Sequence, residues 1–100
     1  MPDIRLDPYI IESLMPDLNG HDHRPSAFIV YLLLWSLARN ERGSPVACSY
    51  QDIATNTGLA KRTVQTAVRH LARRKLISVR QSTATATPVY EVLTPWRRGA

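Results

Sequence analysis

Ser49-Tyr-Gln-Asp-Ile-Ala-Thr-Asn-Thr-Gly-Leu-Ala-Lys-Arg-Thr-Val-Gln-Thr-Ala-Val-Arg-His-Leu-Ala-Arg-Arg-Lys-Leu-Ile77 is the stretch on which the fold turns. Ser49 and Asp52 stand at capping-box spacing, where a hydroxyl accepts from an early backbone N–H and a carboxylate reaches back. A short helix follows, with Ile53 and Ala54 turned inward. Gly58, between Thr57 and Leu59, can take the positive φ that a tight inter-helix turn requires. From Lys61 a second helix carries Val64, Ala67, Val68 and Leu71 at the i, i+3, i+4, i+7 spacing of a buried stripe. The whole reads as a helix-turn-helix.

The far side of the second helix holds the candidate function. At about 100° per residue, Arg62, Thr66, Arg69 and Arg73 lie together opposite the Val64–Leu71 stripe, flanked by Thr63, Gln65 and His70. Such side chains bond phosphates and base edges, and arginine grips guanine O6 and N7 in a bidentate way. From Ala60 to Arg80 there are seven basic residues (Lys61, Arg62, Arg69, Arg73, Arg74, Lys75 and Arg80) and no acidic one. A merely solvated face mixes signs to gain i,i+4 pairs, so a face of one sign predicts contact with nucleic acid. The expected binding residues on a recognition helix of about 61–74 are Lys61, Arg62, Thr63, Gln65, Thr66, Arg69, His70, Arg73 and Arg74.

The stretch resembles the winged helix-turn-helix domains of small bacterial transcription regulators, and similar domains occur in plasmid and phage replication initiators. The resemblance rests on Ala54 in the first helix, Gly58 in the turn and Val64 in the second helix, and it covers roughly residues 25–93. It implies a mainly α fold with a small β-hairpin wing, built as a three-helix core plus an N-terminal helix. It also implies insertion of the second helix into the major groove of DNA. One position departs from the pattern: Ala60 stands where the family commonly has a capping Ser or Thr, so the recognition helix is expected to start without a side-chain cap, which is typically worth about 1 kcal/mol.

The wing is legible as well. Leu76-Ile-Ser-Val-Arg80 alternates apolar and polar residues with β-branched side chains, which suits a half-buried strand, and Val89-Tyr-Glu-Val-Leu93 reads as its partner. Residues 81–88 between them are a run of Ser, Thr, Ala and Gln ending in Pro88, with no charge and no glycine, so Arg80 is the candidate for the wing contact with DNA that the resemblance implies. The resemblance also implies a short third strand, at Val46-Ala47-Cys48, to complete the sheet, with Pro45 restricting it to a strand start or an edge.

One hundred residues suffice for a single compact core. The net charge of +5 is unevenly distributed: residues 1–24 hold five acidic residues against two arginines, and the remainder eleven basic against three acidic. The basic excess belongs to the helix-turn-helix half, as a nucleic-acid footprint would have it. A single cysteine, Cys48, excludes an intramolecular disulfide framework and suits a reducing cytoplasm, where it is expected to pack as a small apolar residue. Met-Pro-Asp with mixed charge is unlike a secretion signal. The longest apolar run, residues 27–38 with Ser36 inside it, has twelve residues, short of the ~20 that span a membrane. A cytoplasmic, membrane-free setting is therefore expected, and the resemblance implies a bacterial one.

That apolar run predicts a helix from Pro25, favoured in a first turn, to about Glu41, with Gly43-Ser44-Pro45 ending it. Phe28, Tyr31, Leu32 and Trp35 mark one face, and Val30, Leu33, Leu34 and Leu37 the opposite one. A helix apolar on both sides must be covered on both sides. Residues 1–24 are expected to form a dimerisation arm: Asp7 as cap, Pro8 in the first turn, then Ile10, Ile11, Leu14 and Met15 before Pro16 stops the helix. A homodimer interface of Ile10, Ile11, Leu14, Val30, Leu33, Leu34 and Leu37 follows from this coverage argument. Residues 25–94 then form the DNA-binding domain and 95–100 a tail.

Catalysis finds no foothold. Asp17, His21, Asp22 and His23 sit in one segment, but their spacing matches no closed zinc set, no cysteine joins them and Arg24 adjoins them. A surface loop is expected there, with Asp22 accepting from the free N–H groups at the start of the Pro25 helix. No Gly-rich phosphate loop or nucleophile–base motif is present, so no catalytic residue, metal or cofactor is expected. The function expected is that of a sequence-specific double-stranded DNA-binding transcriptional regulator. The DNA-binding module of a replication initiator and a winged-helix protein–protein adaptor are the alternatives.

Overall fold

A computed structural model describes residues 3–40 and 45–97. The core elements are α1 (Pro25–Asn40), β1 (Val46–Ala47), α2 (Tyr50–Thr57), α3 (Lys61–Arg73), β2 (Ile77–Arg80) and β3 (Val89–Val92). The sheet is antiparallel in the order β1-β3-β2, with Val79 opposite Tyr90 on one side of β3 and Val46 opposite Tyr90 on the other. This is a winged helix: three helices, a hairpin wing and the short strand anticipated at Val46. The expected end of α1 at Glu41-Arg42-Gly43-Ser44 lies outside the described residues.

Each junction has a local cause. The Ser49 hydroxyl accepts from the Asp52 N–H at 3.0 Å and caps α2. Gly58 closes α2 in the left-handed region (φ 79°), its N–H donating to the Ala54 carbonyl. Thr57 braces the same turn, donating to the Ile53 carbonyl at 2.7 Å and accepting from the Leu59 N–H at 3.2 Å. Ala60 enters α3 in an extended conformation with no side-chain cap. At the other end of α3, the Leu76 N–H donates to the Leu71 carbonyl and the Lys75 N–H to the Ala72 carbonyl. That is a Schellman termination, and it places Lys75 at φ 59°.

The core is formed where the stripes meet. Val64, Ala67, Val68 and Leu71 of α3 are all buried, together with Ile53 and Ala54 of α2 and Tyr31, Leu34 and Trp35 of α1. The Tyr31 hydroxyl donates to the Leu93 carbonyl at 2.9 Å and ties α1 to the end of β3. Cys48 packs in this core at 7% exposure, and burial raises its thiol pKa above the ordinary value, so it behaves as a small apolar residue.

The N-terminal segment departs from expectation. Asp7 does cap it, accepting from the Tyr9 N–H at 3.0 Å, but Pro16 does not stop it. Residues 8–21 are helical throughout, with wide π-type turns at Ile10–Leu14 and Asp17–His21. The Met15 N–H bonds the Ile10 carbonyl and the Asp22 N–H bonds the Asp17 carbonyl, both i to i−5. In an α-helix a proline ring collides with the carbonyl four residues back; here Pro16 stands at the junction of the two wide turns, immediately before the second. His23, at φ 55°, then reverses the chain into α1.

The longer arm changes the coverage of α1. Ile10, Leu14 and Leu18 are buried at 0, 3 and 0% exposure, and Val30 and Leu34 are both at 0%. One chain therefore buries Ile10, Leu14, Val30 and Leu34 by itself, and the expectation that these four form a dimer interface is corrected. The cause is Leu18, which the anticipated stop at Pro16 would have left outside the helix. Leu33 and Leu37 are only partly buried, and Ile11 is 43% exposed.

Candidate nucleic-acid interface

The α3 helix presents its basic face to solvent. Lys61, Arg62, Arg69 and Arg73 are exposed, Thr66 is half-buried among them, and Thr63 and Gln65 are half-buried at the margins. Among the described residues, Arg62, Arg69 and Arg73 form no ion pair. At 1.5 Å per residue, the face from Arg62 to Arg73 is about 16 Å long. Its first turn contains no acidic residue, so Lys61 and Arg62 lie against the positive end of the helix dipole. That placement costs a few tenths of a kcal/mol per charge and favours an anion at the same spot.

The two flanks of this face differ. On one side Lys61 and Gln65 face the wing across a groove completed by Ser49, Gln51, Gln81 and Thr87. Arg80 is exposed at the end of β2 and lines a second depression with Gln81 and Ser82. Gln81 holds the wing tip in shape, donating to the Ala86 carbonyl at 2.6 Å.

On the other side, the arm reaches α3. His70 Nε2 lies 2.7 Å from Asp22 Oδ2, and the Arg74 guanidinium bonds Asp17 while its Nε stands 3.5 Å from Asp22. Asp22 also bonds His21 at 2.8 Å. The His21 hydrogen bond foremost, then those of His70 and the charge of Arg74, hold the Asp22 carboxyl below the usual carboxylate range. The structure thus keeps Lys61, Arg62, Thr63, Gln65, Thr66, Arg69, Arg73 and Arg80 on the open surface or its margins, and engages His70 and Arg74 with the arm.

Two expectations about this segment change. Asp17–His21 is a helical turn, not a surface loop, and Asp22 bonds side chains, while Arg24 supplies the carbonyl that accepts from the Ala27 and Phe28 N–H groups. Asp17, His21 and Asp22 do bring potential metal-ligand atoms within 4.8 Å of one another, but both carboxylates already face the Arg74 cation. A local reading of the sequence misses these pairs because they span 48 and 57 residues. The acidic charge gathered in residues 1–24 was the signal that could have predicted them.

Trp96 and Arg97 also dock on the arm and α1. Asp7 accepts from Trp96 Nε1 at 2.9 Å and pairs with Arg97, Tyr9 stacks on Trp96 with ring centroids 4.6 Å apart, and the Arg97 guanidinium lies 5.8 Å over Trp35.

Among the described residues, no helix is long and apolar enough to cross a membrane. Comparison with curated proteins and with solved structures finds no match. A family model described as a helix-turn-helix domain matches residues 24–77, from the residue before α1 to the first residue of β2. That span holds both helices of the motif and the glycine turn between them, and it covers more than half of the sequence. The chain therefore belongs to the helix-turn-helix domain family, carried here on a winged helix, and DNA is the partner to which this fold points.

Proposed function

We propose that this chain is a non-enzymatic, sequence-specific double-stranded DNA-binding regulator of transcription, acting in a bacterial cytoplasm. The observation that carries the reading is the α3 face on which Arg62, Arg69 and Arg73 are exposed and without ion-pair partners among the described residues. On this reading α3 enters the major groove, Arg62 and Arg69 address base edges with Thr66 between them, and Lys61, Arg73, Lys75 and Arg80 contact phosphates. A replication-initiator module would use the same residues. A protein–protein adaptor would need apolar anchors on its contact surface, and this face has none.

Selection from random duplexes tests the reading. A specific site should emerge, and affinity should fall by an order of magnitude or more between low and physiological salt as several phosphate contacts release counterions. Arg62→Ala should cost about 1–3 kcal/mol and relax preference at one base position. Recovery of no duplex at all would refute the proposal.

A two-fold dimer belongs to the same proposal on a narrower surface than the sequence suggested. Ile11 and Ile29 are 43 and 40% exposed, and Leu33 and Leu37 are only partly covered. A pair of chains joined there would present two recognition helices to successive major grooves, ~34–36 Å apart, on a near-palindromic site. Sedimentation at micromolar concentration checks it, and a monomer with an asymmetric site would refute it.

A further inference from the structure

The recognition helix meets unlike surroundings on its two sides. The groove between α3 and the wing has no carboxylate in its lining. The side facing the arm is closed by two, Asp17 on Arg74 and Asp22 on both His70 and Arg74. Viewed down α3 at about 100° per residue, His70 and Arg74 lie roughly 80–120° around from Arg62, on the flank opposite Gln65 and Lys61. A duplex seated on Arg62, Arg69 and Arg73 has a phosphate backbone on either side of the helix. Carboxylates on one flank fill the hydrogen-bonding positions that phosphate oxygens would take there.

We propose that Asp17 and Asp22 are specificity-determining residues of the DNA interface, acting as built-in competitors of phosphate that keep Arg74 and His70 from contributing to binding of any duplex. The inference rests on the DNA-binding reading above. Phosphate contacts add affinity without sequence information, whereas base contacts on the open face carry discrimination. Removing cations from the first class and leaving the second intact lowers affinity for random DNA more than it lowers selectivity. Asp22 is well suited to the part, because its side chain is only 7% exposed and its neighbours hold it ionised. The arm has apolar anchors of its own, Ile10, Leu14 and Leu18, buried in the core. Neutralising the carboxylates therefore leaves the arm docked.

The test measures binding of the full chain to a labelled random-sequence duplex and to the duplex recovered by selection, across a salt series. The Asp17→Asn/Asp22→Asn variant should bind random duplex more tightly than the parent. Freeing Arg74 alone should steepen the slope of log affinity against log salt by about 0.9, an extra three- to fourfold change between about 50 and 200 mM. The ratio of selected to random affinity should fall. Adding Arg74→Gln to the double variant should return the slope to its starting value. Should the double variant melt early, Asp17→Asn alone decides: Asp17 is 40% exposed and is the closer of the two carboxylates on Arg74, so its loss should steepen the slope by part of the same increment, with the Asp22 contacts to His70 and Arg74 left in place. An unchanged slope, or weaker binding to random duplex, overturns the proposal while leaving the DNA reading intact. A parent chain that binds no duplex overturns both.

Discussion

Leu18→Ala is the sharpest probe of how α1 is covered. Leu18 is fully buried in the single chain, two residues past a proline that would ordinarily have ended the helix carrying it. Truncation removes the transfer energy of the lost atoms and leaves a cavity, together about 3 kcal/mol for a buried leucine. For a domain of this size each kcal/mol corresponds to roughly 4–8 °C, so the melting midpoint should fall by roughly 12–24 °C. Ile11→Ala supplies the contrast: its side chain is 43% exposed, and its loss should change stability by no more than about 0.5 kcal/mol in a monomer. Circular dichroism melts at two protein concentrations a hundredfold apart give both quantities. They also separate intrachain cover from a partner's, because stabilisation by a second copy makes the midpoint depend on concentration. A Leu18→Ala chain that melts alongside Ile11→Ala would refute coverage of α1 by its own arm.

Three further outcomes follow from local geometry. Ala60 enters α3 extended and uncapped, so Ala60→Ser should add about 0.5–1 kcal/mol in denaturant melts. Gly58→Ala should cost about 1–2 kcal/mol through the left-handed backbone alone, since a Cβ there would meet nothing within 4 Å; Gly58→Asn should recover part of it. The carboxyls of Asp22 and Asp7 are both held below their ordinary value of 3.8. Their contribution to stability is therefore complete above that value and is lost as pH falls below it through the lowered values. An acid titration of the melting midpoint should show this loss, with a shallower fall for Asp22→Asn.

The helix-turn-helix could be read from the sequence because its determinants are local. Ser49 lies three residues from the N–H it caps, Gly58 lies at the turn it permits, and the Val64–Leu71 stripe declares its buried face by period alone. The wing strands are legible by alternation, and the strand at Val46 only through the resemblance to winged helices, which usually carry a short third strand. The arm runs on past Pro16, against the sequence expectation, because the rule against interior proline assumes α-helical winding and the turns on either side of Pro16 are bonded i to i−5. A helix ending at Pro16 lacks Leu18 and offers too little cover for Val30 and Leu34, which is why a local reading assigns them to a partner chain. In the candidate site, period placed Arg62, Thr66, Arg69 and Arg73 correctly on one open face. No local rule could pair His70 with Asp22 or Arg74 with Asp17, because that pairing is decided by where the arm lands on α3.

The contacts of Asp7 with Trp96 and Arg97 join positions 89 and 90 residues apart. Closing so long a loop in an otherwise free chain costs about 2 kcal/mol more than closing one of ten residues, and partly solvated polar bonds are a poor match for that cost. The ring becomes affordable only after Tyr31 has captured the Leu93 carbonyl and shortened the remaining excursion. An order of events is thereby written into the architecture: the helical core and wing assemble first, and the two ends are drawn together over Trp35 last. In the native protein the sequence of events runs backwards, so amide exchange at Tyr9 and Arg97 should be the fastest among the hydrogen-bonded positions. The clasp of the ends is the outermost layer of the fold in time as well as in space.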